Sequence, residues 1–140
     1  MHADDQVGAG VAAELADVLR DAVDDHPVKI VPSVCEECDG RVFSVLVDDL
    51  EGAAVRVCAD CGDRAYLADS EEFWEDADPS EAVCPCGGEE FESALAFSLT
   101  PDGSVRWVTL GLRCVKDRVP GVYADWKIDH KPSDHLLNLA

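Results

Sequence analysis

"VCEECDGRVFSVLVDDLEGAAVRVCADCG", residues 34–62, is the stretch on which the reading of the fold turns. It holds two C-x-x-C pairs, Cys35 with Cys38 and Cys58 with Cys61, nineteen residues apart. The segments "RVFSVLVDD" and "AAVRVC" are β-branched and roughly alternating, and "DDLEG" separates them, so the interval reads as two strands and a turn. Such a hairpin brings the two pairs together in space. Each pair is then a tight knuckle aiming two sulfurs at one point, with Gly40 and Gly62 expected to take the positive φ that a side chain resists. Four thiolates complete a closed tetrahedral site of the kind that holds structural zinc. The other readings of these sulfurs are a rubredoxin-type iron centre and a redox dithiol. A redox C-x-x-C is expected to open a helix, whereas these pairs flank strands.

Over about residues 33–68 the two knuckles and their separation resemble the zinc-ribbon family. The resemblance implies a zinc-bound pair of β-hairpins with Cys35, Cys38, Cys58 and Cys61 as ligands. A closed site has no position for water, so its work is stability rather than catalysis.

A second constellation follows. "CPCGGEEF" places Cys84 and Cys86 close together, and twenty-seven residues, forming a long hairpin turned by "PDGS", lie between Cys86 and Cys114. The closing knuckle is C-x-x-D, and no glycine follows Asp117. Three readings of the fourth position stand. Asp117 can supply a carboxylate oxygen; His26, His130 or His135 can be brought in by folding; or the metal is lost and three thiols sit in an apolar core. The stretch "RWVTLGLRCVKDRVPGVYADWKIDHKPSDHLL" looks like the C-terminal part of uncharacterised bacterial zinc-ribbon-like proteins, in which a second C-x-x-C-G stands where this chain has "CVKDR". That likeness covers about residues 84–139 and implies no activity.

An open second site would make the chain a metal-dependent enzyme. "CPC" lacks the companion H-x-E of a zinc deaminase, and no H-E-x-x-H, G-x-S-x-G or phosphate-binding glycine loop occurs. A non-enzyme is the expectation.

Charge narrows the partners. The 140 residues carry a formal net charge of −19, which opposes binding to nucleic acid over most of the surface. Residues 48–92 hold fifteen acids against Arg56 and Arg64, whereas residues 106–131 carry six lysines and arginines against three aspartates. The acidity reads either as an adaptation for solubility or high salt, or as a surface for a basic protein. Phe73, Trp74, Glu75 and Asp76 are the candidate partner-binding residues, an aromatic pair among acids. No apolar run is long enough to span a bilayer and the N-terminus lacks signal-peptide features, so a cytoplasmic, reducing location is expected, with cysteines serving metal before disulfides.

The remaining chain reads as an amphipathic helix over 9–25, stopped at His26-Pro27, then a strand at "VKIVPSV". Further strands are expected at "DRAYLA", "EEFESALAFSLT", "SVRWVTLGLRC" and "GVYADWKID", and "KPSDHLLNLA" reads as a short helix capped by Ser133. The expected class is α+β, with four parts: an N-terminal helix (1–27), a zinc ribbon (28–68), an acidic junction (69–83) and a second ribbon-like antiparallel β unit (84–140) ending in the short helix. The functional expectation is a non-catalytic zinc-binding interaction module (an inhibitor, immunity-type protein or adaptor) that binds one zinc, or two. The alternatives are the metal-dependent enzyme and a nucleic-acid-binding ribbon.

Overall fold

A computed structural model describes residues 6–7, 11–23, 28–48, 52–101, 104–128, 136 and 140. In chain order the strands are β1 (Gln6–Val7), β2 (Val28–Pro32), β3 (Phe43–Asp48), β4 (Ala53–Cys58), β5 (Arg64–Tyr66), β6 (Ser80–Glu81), β7 (Phe91–Leu99), β8 (Val105–Cys114) and β9 (Pro120–Lys127). Helix α1 is Ala13–Ala22, and α2, a single turn, is Ser70–Phe73. All the strands join one sheet, and every pairing except the parallel β1–β2 is antiparallel.

The expected α+β arrangement is overturned: the chain is mostly antiparallel sheet with one helix of more than a single turn among the described residues. Long-range pairing is the reason. β8 lies along one edge of β7 from Cys114 opposite Phe91 to Val105 opposite Leu99. The other edge of β7 is shared, with β2 opposite residues 94–98 and β3 meeting it through Phe43 opposite Phe91. Seven of the nine residues of β7 are buried, as befits a strand paired on both edges. No C-terminal helix is seen among the described residues. A segment that short holds a helix only through packing, and Leu136 and Ala140, its described residues, are buried.

The two faces of the sheet are covered differently. On one, Leu15, Ala16 and Leu19 of α1 pack on Val28, Ile30, Ala94 and Ala96. Small alanines on β7 let the helix approach, and the exposed acids of α1 face water. On the other, Phe43, Val45, Phe91, Leu95, Phe97, Val108, Leu110 and Trp126 form the larger core. Phe43, Phe91 and Phe97 are fully buried. The segment after β5 is tied in by a buried bond in which Trp126 Nε1–H donates to Asp69 Oδ1 at 3.0 Å. Ser70 Oγ bonds Leu67 O and accepts from Ala54 N. Asp69 therefore serves β9 rather than capping α2, where no side-chain cap bond is made.

Candidate metal centre

Two groups of four side chains each bring one ligand atom apiece to within 4.8 Å of one another: Cys35, Cys38, Cys58 and Cys61, and Cys84, Cys86, Cys114 and Asp117. The seven cysteines are all free thiols. The first group joins the loop before β3 to the turn after β4, and the second joins the loop before β7 to the turn after β8. Pairing makes this happen. Phe43 sits opposite Cys58, and Phe91 opposite Cys114, so each hairpin returns its closing cysteine to the level of the opening loop. Because Phe43 also pairs with Phe91, the two groups hang from adjoining strands of one sheet.

The closing turns correspond atom by atom. In the first group Cys58 N donates to Asp63 O at 2.9 Å and Gly62 N to Cys58 O at 2.9 Å. In the second, Cys114 N donates to Val119 O at 3.2 Å and Arg118 N to Cys114 O at 2.9 Å. The opening turns are related but not identical: Cys35 N donates to Gly40 O and Asp39 N to Cys35 O, whereas in the second group, one residue shorter, Cys84 N donates to Gly88 O and Gly87 N to Cys84 O. Each turn passes through one residue in the left-handed region: Asp39 at φ 61°, Gly62 at 79°, Gly87 at 91° and Arg118 at 63°. The expected positive φ at Gly40 is thus displaced to Asp39. Arg118 takes the conformation of the missing glycine despite its Cβ, at a cost of about 1–2 kcal/mol.

Gly40 and Gly88 serve another purpose. A Cβ on Gly40 would stand 3.0 Å from Cys58 Sγ, and one on Gly88 would stand 2.6 Å from Cys114 Sγ. Both leave the backbone room to approach the sulfurs.

The donor spacing fits a tetrahedral ion. Four sulfurs about 2.3 Å from a zinc ion lie about 3.8 Å apart, and a sulfur and a carboxylate oxygen on one ion lie about 3.5 Å apart. Cys35 and Cys61 sulfurs are 3.5 Å apart, as are those of Cys38 and Cys58. In the second group Cys86 and Cys114 sulfurs are 3.6 Å apart, and Cys84 Sγ is 3.3 Å from Asp117 Oδ2. In both groups the first and third members are buried and the second and fourth exposed.

Protonation of the metal-free groups corresponds at the third member of each. Backbone N–H groups of Cys61 and Asp60 point at Cys58 and outweigh its burial, lowering it to about 7. The N–H groups of Asp117 and Lys116 lower Cys114 in the same way. Gly40 N–H pulls Cys38 down, but the neighbouring thiols of Cys58 and Cys61 push it up to about 12. Cys84 is also pushed up to about 12, because burial, Cys86, Asp117 and Cys114 outweigh the N–H of Cys86. Asp117 is lowered, chiefly by the Val119 N–H that donates to its Oδ1 at 3.0 Å. In each group one thiolate is favoured while Cys38, Cys61 and Cys84 resist ionising, so a cation is what lets these sulfurs ionise together.

Every sequence-assigned cysteine therefore lies in one of the two groups, and Asp117 with them. His26, His130 and His135 lie outside the described residues. The candidate partner-binding residues stand apart from both groups: Phe73 is 39% exposed, Glu75 and Asp76 are exposed, and Trp74 packs edge-on against Tyr66 with centroids 5.8 Å apart. The basic run is partly neutralised, since Arg113 Nη1 lies 3.1 Å from the Glu92 carboxylate. Sequence reading missed Asp39 and Arg118, whose positive φ carries no signal in their residue types. Comparison with protein-family models, with curated proteins and with solved structures returned no match. Both groups could hold a metal ion and are consistent with zinc-ribbon-like sites. No helix among the described residues is long and apolar enough to cross a membrane.

Proposed function

We propose that the chain is a non-catalytic zinc protein in which Cys35, Cys38, Cys58 and Cys61 hold one ion and Cys84, Cys86, Cys114 and Asp117 hold a second. The observation that carries this is the convergence of two four-donor groups, each to within 4.8 Å, on equivalent turns. Sets of three or four thiolates favour zinc over harder cations. Asp117 stands in the place of Cys61, accepting a backbone N–H from two residues on with one oxygen and facing the sulfurs with the other. A catalytic reading requires an open ligand position, and that fourth donor fills it. The metals then act as cross-links of the sheet, in a reducing compartment such as the cytoplasm where thiols stay available.

The acidic surface supplies the second part of the proposal: a protein-interaction role with a basic partner, as an inhibitor, immunity-type protein or adaptor. The segment Phe73–Asp76 offers an exposed aromatic ring among acids, the chemistry that anchors a basic surface. The net charge of −19 disfavours the nucleic-acid alternative.

Native mass spectrometry tests both parts. Two zinc ions per chain are expected, together with a stoichiometric basic partner when the protein is isolated from its native host. The partner should be lost with Phe73→Ala. Zero or one zinc would sink the metal reading. Isolation free of any basic partner, or a partner indifferent to Phe73, would sink the interaction reading.

A further inference from the structure

We propose that the turn closing the second group, residues 115–119, is a self-association surface through which two copies of the chain pair about a two-fold axis. The turn carries Val115 and Val119, 37% and 55% exposed, beside the exposed Lys116 and Arg118. Next to it lies an open groove of about 410 Å³, lined by Glu81, Glu89 and Glu90 together with Val115 and Lys116. Glu81 is raised from its ordinary value by the hydrogen bond that its protonated form donates to Glu89 and by the charge of Glu89, so like charges are crowded in this groove. A basic, apolar knob beside an acidic hollow is self-complementary. An isologous pair needs that property, since each copy must offer both halves of the contact.

Charge selects a second copy at this patch. At −19 each, two copies repel over most of their surfaces. The equivalent turns of the first group carry the exposed acids Glu36, Glu37 and Asp60 and no exposed valine, with the exposed cations Arg41 and Arg64 just beyond them. At the second group, exposed cations and apolar side chains coincide, and each copy's Lys116 and Arg118 find the other copy's Glu89 and Glu90. The contact is small beside the roughly 800 Å² per partner of a stable interface, so the pair is weak and concentration-dependent. Added salt should strengthen it at first, because long-range repulsion is screened more than contact pairs.

The inference rests on the second group holding metal, since the ion fixes the turn. Sedimentation equilibrium of the full, metal-loaded chain from micromolar to millimolar concentration tests it, with zinc measured on the same samples. The expected mass rises from one chain to two. Val119→Asp should move the midpoint upward by about tenfold or more with both zinc ions kept. Mixing Lys116→Glu/Arg118→Glu with Glu89→Lys/Glu90→Lys should give a heterodimer that neither variant forms with itself. Two zinc ions with a monomer at every concentration and salt level overturns this inference alone. A dimer indifferent to Val119→Asp and to the charge exchange places the contact elsewhere and also overturns it. One zinc per chain overturns the metal reading, and the fixed turn with it.

Discussion

The two ligand groups open on turns of different length, C-x-x-C against C-x-C, but are closed by the same turn, where they differ in a single donor atom and a single backbone constraint. In the first, the closing turn has Cys61 as fourth member and Gly62 at φ 79°. In the second, Asp117 and Arg118 occupy those places, and Arg118 still adopts φ 63°. An L-residue held there signals that the turn is over-determined by its surroundings. The Cys114–Val119 and Arg118–Cys114 bonds, and the acceptance of Val119 N–H by Asp117, are those surroundings. The comparison teaches that one closing turn can present either a soft sulfur or a hard oxygen as its fourth donor atom.

The largest effect should follow from removing both metals. Structural zinc in small sites contributes about 10–16 kcal/mol, comparable to the net stability of a whole domain. Cys35, Cys58, Cys84 and Cys114 all belong to the main core. Chelation is therefore expected to abolish the near-ultraviolet circular dichroism of the whole chain; a metal-free protein with native dichroism and thermal transition would break the account.

Next in size is the separation of the two sites. Asp117→Ala should weaken the second zinc by about 100-fold or more while the first is untouched, and Asp117→Cys should restore it. Competition titration with a chromogenic chelator reads both, and equal retention in Asp117→Ala would remove the carboxylate from the ligand set.

The dependence on pH should also differ. Ligands must deprotonate to bind, so both affinities fall as pH falls. Cys38, pushed up to about 12, and the raised Cys61 are protonated at neutral pH in the first group. In the second, Cys84 at about 12 is protonated, whereas Asp117, lowered further by Val119 N–H, is already ionised. The second site then releases fewer protons on binding. The logarithm of its affinity should rise less steeply with pH than that of the first; the reverse order would contradict the assignment.

The smallest effects concern the backbone. Arg118→Gly should stabilise the metal-loaded protein by up to about 1 kcal/mol, and Gly62→Ala should destabilise it by about the same amount. A Cβ on Gly62 meets no atom within 4 Å, so the second change isolates conformation from crowding. Thermal melts of the two variants check the pair, and a shift of the same sign in both would refute the equivalence of the turns.

Much of this arrangement was legible from residue order. Cysteine spacing and strand alternation are local signals, and they located the four-sulfur group, the long hairpin and the correspondence of Cys114 with a third ligand. Pairing of β2 and β3 along one edge of β7 is not local. No periodicity announces that Phe43 will lie opposite Phe91, which is why two ribbon-like units were expected where the chain forms one sheet. Of the segment expected as a C-terminal helix only Leu136 and Ala140 are among the described residues; both are buried, and a short apolar pattern serves equally to cover a core. Asp117 was legible only as one of three readings, because its role depends on where its carboxylate points.

Cadmium-113 nuclear magnetic resonance on the fully substituted protein tests the central claim most directly, because the cadmium shift reports the number of thiolate ligands. Two resonances of equal area are expected, one in the four-sulfur range and one upfield from oxygen replacing a sulfur, with Asp117→Cys moving the second towards the first. A single resonance, or two that both report four sulfurs or stay unmoved by Asp117→Cys, would contradict it.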